Sequence, residues 1–194
     1  MRRRMAGAKL LIAAAIMLGG CSSSDNDFVA SVTPAPDMSD EQEKALSEEK
    51  REGDFILRIE SEKNVYKPGE KIKMRALLKY DGPEKTIKIY HGMEPVAMPV
   101  VEELTRGIET EAVMPVPLKS SILKQNEWNV FPFKKSGGYS ENDPHKDFIK
   151  TFLAGDGFPK GKYRVQGWTD FYTEEGDEQQ KYHFTTEFIV TVQD

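Results

Sequence analysis

The chain of 194 residues has a single cysteine, Cys21. An intrachain disulfide is excluded, so the folded part must be stabilised by its own core. No apolar run reaches the ~20 residues that a transmembrane helix needs. Catalytic signatures are missing as well: there is no Gly-x-Ser-x-Gly elbow, no HExxH and no P-loop. The only histidines, His91, His145 and His183, are too scattered to show a metal-binding pattern. The sequence therefore predicts a protein that is not an enzyme and needs no cofactor or metal. Basic charge is scarce too. Four of the 27 Lys and Arg lie in residues 1–20, which hold no acid; the rest carries 23 basic and 32 acidic residues, a net −9. That balance argues against a nucleic-acid partner, which needs a basic patch.

What is present begins at the N-terminus. Met1-Arg2-Arg3-Arg4 and Lys9 precede the short apolar run Leu10 to Leu18. Gly19 and Gly20 then lead into Cys21. A basic start, a short apolar stretch and a small-residue exit are the parts of a secretory signal peptide. Leu18-Gly19-Gly20-Cys21 resembles the lipobox of bacterial lipoproteins. The resemblance implies cleavage between Gly20 and Cys21 and a diacylglyceryl anchor on the Cys21 thiol. Each buried CH₂ of such an anchor contributes about 0.8 kcal/mol, so two acyl chains hold firmly. The implied location is the extracytoplasmic face of the cell membrane.

Residues 21–53 read as the lipidated cysteine and a flexible acidic linker. Ser22 to Asp27 is polar and small, and Thr33-Pro34-Ala35-Pro36 is stiff and extended. From Asp40 to Glu52 the chain is charge-dense, with Leu46 its only large apolar residue, so it offers no face to bury.

From residue 54 to 194 the pattern alternates with period two. Phe55, Leu57 and Ile59 share one side of a strand; Ile72, Met74, Ala76, Leu78 and Tyr80 share another. Thr86 to Tyr90 is a third strand. Tyr163, Val165, Gly167, Thr169 and Phe171 face away from Arg164, Gln166, Trp168, Asp170 and Tyr172. Tyr182, Phe184, Thr186, Phe188, Val190 and Val192 form the last face. Strict alternation signals half-buried antiparallel sheet. No long helical period appears. The sequence predicts an all-β fold, a single immunoglobulin-like antiparallel β-sandwich, acting as a monomer. Residues 92–150 are rich in proline, which points to short edge strands and long loops.

Val65-Tyr66-Lys67-Pro68-Gly69-Glu70-Lys71-Ile72 and Phe158-Pro159-Lys160-Gly161-Lys162-Tyr163-Arg164-Val165-Gln166-Gly167-Trp168 carry a second resemblance. Their combination and order resemble the BsuPI-type proteinase-inhibitor domain, an immunoglobulin-like fold. The likeness covers the two ends of 54–194 and implies tight turns at Pro68-Gly69 and Lys160-Gly161. It implies that Tyr163 acts as a tyrosine corner, with its hydroxyl bonded to backbone. It also implies proteinase inhibition as an alternative function.

Several side-chain sets invite a functional reading. Asp143, His145 and Asp147 could approach a cation through hard oxygens, but their spacing is not that of an EF-hand loop and Lys146 opposes it. The segment reads as a polar loop. Asp170, Glu174, Glu175, Asp177 and Glu178 span a hairpin and read as an acidic, solubilising tip. Trp128 and Phe131, near Phe133 and Tyr139, could anchor a partner or fill the core of an irregular strand. Trp168 and Tyr172 lie opposite the apolar stripe and form an aromatic patch if that face is open. His91 reads as a rim residue and His183 as a solvent-facing one. The function expected is a non-enzymatic binding module at the cell envelope, with an envelope protein or wall polymer as partner.

Overall fold

The computed structural model describes residues 44–110 and 117–194. Gly20, Cys21 and the rest of residues 1–43 lie outside the described residues. In chain order the strands are β1 (Leu46–Glu52), β2 (Phe55–Ser61), β3 (Val65–Tyr66), β4 (Met74–Tyr80), β5 (Thr86–Glu103), β6 (Ile108–Thr110), β7 (Lys119–Lys124) and β8 (Trp128–Pro132). A short helix, α1 (Lys146–Leu153), precedes β9 (Gly161–Glu175), β10 (Glu178–Tyr182) and β11 (Thr185–Val192).

The strands form two sheets that face each other across one core, an all-β sandwich as the alternation predicts. One sheet runs β1-β2-β4-β8, antiparallel throughout. The other runs β3-β11-β9-β5-β6, with β10 paired to β9 and β7 paired to β5. Its one parallel pairing joins two residues each of β3 and β11. The first sheet turns Phe55, Leu57, Ile59, Ala76, Leu78 and Tyr80 inward. The second answers with Tyr163, Val165, Phe171, Phe188, Val190 and Val192. Full burial of such a side chain stabilises by ~1.5–3 kcal/mol relative to exposure.

Two expectations are corrected. The first concerns the stretch before residue 54. β1 lies within the residues read as linker, and all seven of its residues pair with β2. Only Leu46 packs on the core. Main-chain hydrogen bonding, which leaves no hydrophobic pattern, places the charged strand there. Its exposed charges guard the sheet edge against pairing with another chain.

The second concerns the proline-rich middle. β5 is a long strand in the interior of its sheet, flanked by β9 on one side and by β6 and β7 on the other. It accommodates its prolines by slipping register. One shift falls between His91 and Val96, across Pro95; the other falls between Ala97 and Val100, across Pro99. Bulges are where a sheet tolerates a residue without an N–H. The loop after residue 142 also runs into α1, which turns Ile149 and Phe152 inward.

The turn at Pro68-Gly69 forms, whereas Gly161 already opens β9. Glu70 N–H donates to Lys67 O at 3.0 Å, and Gly69 takes φ of 77°. Proline at the second position and a left-handed glycine at the third define a type II turn. Tyr163 is fully buried, and its hydroxyl donates to Pro159 O at 2.5 Å.

Candidate functional site

Alternation along β5 and β9 sends every second side chain to the outer face of the larger sheet. Tyr90 and Tyr172 are cross-strand partners there. Their rings stack at 5.1 Å between centroids with an 11° interplanar angle. Lys88, two residues before Tyr90, places its ammonium 4.6 Å from the centre of the Tyr90 ring. Its hydrogen bond to the Tyr90 phenol oxygen raises the Lys88 pKa above the ordinary lysine value. Tyr172 makes no other ring or cation contact among the described residues.

Beside this stack is a hollow of about 250 Å³. Phe171 and Tyr182, stacked at 5.2 Å, belong to its lining. So do Asp170, Lys181 and His183, all exposed. None of these three makes a side-chain hydrogen bond or ion pair among the described residues. Leu118, 72% exposed, stands at the margin. The site thus combines an aromatic wall, an exposed aliphatic side chain, and one acid, one amine and one imidazole with unused hydrogen-bonding capacity.

A larger hollow of about 430 Å³ lies where β1, β2 and β4 begin and end. Its charges are already matched: Lys73 pairs with Glu62 at 2.9 Å and Arg75 with Glu60 at 2.7 Å. Its charged side chains therefore engage one another.

The aromatic residues singled out from the sequence do not form one site. Trp128 and Phe131 are three apart on β8, so they point to opposite faces. Phe131 packs against the core. Trp128 lies on the outer face of the smaller sheet, with Arg58 4.2 Å and Lys79 4.9 Å from its ring centre. Trp168 and Tyr172 do share a face, but only Tyr172 lines the hollow. Trp168 is half-buried between its cross-strand partners Ala97 and Thr185.

His91 is also corrected. It is not a rim residue but 6% exposed, with Nε2 at 2.8 Å from Ser121 Oγ and Nδ1 at 3.0 Å from Gly92 O. Its strand continues for twelve more residues, so it occupies the interior of β5. Asp143 caps a turn, accepting the His145 N–H at 2.7 Å, and Lys146 Nζ pairs with Glu141 at 2.5 Å. No group of three metal-ligating side chains occurs among the described residues.

Sequence reasoning passed over Tyr90 and Leu118. The signal for Tyr90 was available, since it shares the Lys88 face of a strand whose Ile87 and Ile89 point the other way. Leu118 carried none, because it lies just before a strand with no apolar alternation. In comparison with known proteins, no family model, no curated protein and no solved structure matches the chain.

Proposed function

We propose that this protein is a lipid-anchored, extracytoplasmic binding module that works at the cell envelope without catalysing a reaction. The lipobox-like Leu18-Gly19-Gly20-Cys21 supports the anchor. The observation that carries the binding role is the hollow beside Tyr172, where the side chains of Asp170, Lys181 and His183 have no partner among the described residues and stand around an aromatic wall. Unmatched polar groups converging on an apolar, concave surface are the usual make-up of a ligand site.

The test has two arms. In the first, wild type and Cys21→Ala are compared by fractionation and intact mass. Wild type is expected in the membrane with acyl mass on Cys21, and the variant is expected to be released. In the second, the wild-type chain and Tyr172→Ala are used to capture material from intact envelope against a lipid-only control. Capture by wild type alone supports the reading, and capture no greater than the control removes it. A stoichiometric loss of activity in an envelope serine protease would instead move the function to inhibition.

A further inference from the structure

We infer that the Tyr172 hollow binds a saccharide, taking one small sugar unit of an envelope glycan against the tyrosine wall. The inference rests on the binding-module reading above and names its partner class. Three observations carry it.

The first is the wall. A pyranose ring has an apolar C–H face, which an aromatic ring with a negative π-face attracts. Tyr172 is held upright for this by the 5.1 Å stack on Tyr90, so its ring needs no ordering when a ligand arrives. The second is the polar set. Sugar hydroxyls both donate and accept. Asp170 accepts, Lys181 donates, and His183 does either according to its tautomer. None is engaged within the protein among the described residues. The third is the size and setting. About 250 Å³ is below the range of drug-sized ligand sites and suits a small ring.

The same setting disfavours other occupants. An anion such as a phosphate would meet Asp170 as well as Lys181. A neutral sugar is matched by the acid and the amine together.

The test is an NMR titration of the detergent-solubilised full chain with tri-N-acetylchitotriose and, separately, cellotriose. The expected result is a set of saturating shifts at Asp170, Tyr172, Lys181 and His183 with at least one sugar, and none at Trp128. Tyr172→Ala should weaken binding about tenfold through loss of the stacking surface. Asp170→Asn, an exposed substitution that leaves the core untouched, should weaken it several-fold and keeps the test decisive if Tyr172→Ala misfolds. Absence of shifts with both sugars overturns the inference, as do shifts centred on Trp128 or full affinity in both variants. If the sugars fail while intact envelope still yields a Tyr172-dependent protein partner, the saccharide falls and the binding module stands. If neither binds, both fall.

Discussion

The Tyr163 hydroxyl donates to the carbonyl of Pro159, four residues upstream, at 2.5 Å. The bond ties the approach segment to the strand it enters, at a point where the ring is fully buried against Phe158. Tyr163→Phe keeps the ring and strands the carbonyl. Pro159 is only partly buried, so leaving its carbonyl unpaired costs about 1 kcal/mol, the low end for a buried acceptor. Urea unfolding should show that loss with an unchanged m-value. An unchanged midpoint would mean that the carbonyl finds water instead.

Glu103 ends β5 with its side chain out of reach of solvent. Burial pushes its carboxyl up, but hydrogen bonds from Thr105 and Arg106 outweigh burial and hold it below the usual 4.5. A depressed carboxylate adds stability that is present above the unfolded value and lost as pH falls through the folded one. Glu103→Gln should cost about 1.5–3 kcal/mol near neutral pH, the worth of hydrogen bonds to a charged group. The gap from wild type should narrow below pH 4.5. Melting curves across that range check the sign, and a gap that widens in acid refutes it.

Gly167 on β9 lies directly against Ile59 of the opposite sheet. A Cβ there would lie 2.5 Å from Ile59 Cγ2. Gly167→Ala should therefore destabilise by ~1–3 kcal/mol through overpacking. Ile59→Ala removes the clashing methyl, so the double variant should lose less than the two single losses added together. Strict additivity in a denaturant double-mutant cycle would place the strain elsewhere.

β1 is the strand most open to test by truncation. Deleting residues 46–52 uncovers the paired edge of β2. It also removes the hydrogen bond of 2.9 Å from Arg58 Nε to Glu49. The shortened chain is expected to self-associate in a concentration-dependent manner by analytical ultracentrifugation. Deleting 22–43 instead should leave it monodisperse. Identical behaviour of the two truncations would show that β1 is dispensable.

The strands with one buried and one solvated face were legible from sequence because alternation is a direct image of that geometry. β9 and β11 follow it closely, and β2 and β4 depart from it only at Ile56 and Leu77, which are buried on the opposite face. β1 was not legible, since its place depends on hydrogen bonds to β2 and not on burial. β5 was hidden by Pro95 and Pro99, which disguise an interior strand as a string of edges. At the candidate site, Tyr172 was visible as an outward aromatic. Its stack on Tyr90 was not, because that partnership depends on cross-strand register between segments some eighty residues apart. The separation of Trp128 from Phe131 was implicit in their odd spacing, once β8 is known to be a strand.

Lys135 gives the small helix an unusual dependence. Its ammonium donates to the carbonyls of Phe152, Gly155 and Gly157, the latter two at 2.7 and 2.5 Å. A helix of eight residues is too short to persist alone in water. Its last turn is instead clasped by a side chain from the segment that follows β8. The amides of α1 should therefore not fray independently. Their hydrogen-exchange rates should follow the opening of that end of the sandwich, so that a helix on the margin of the fold reports when its sheets come apart.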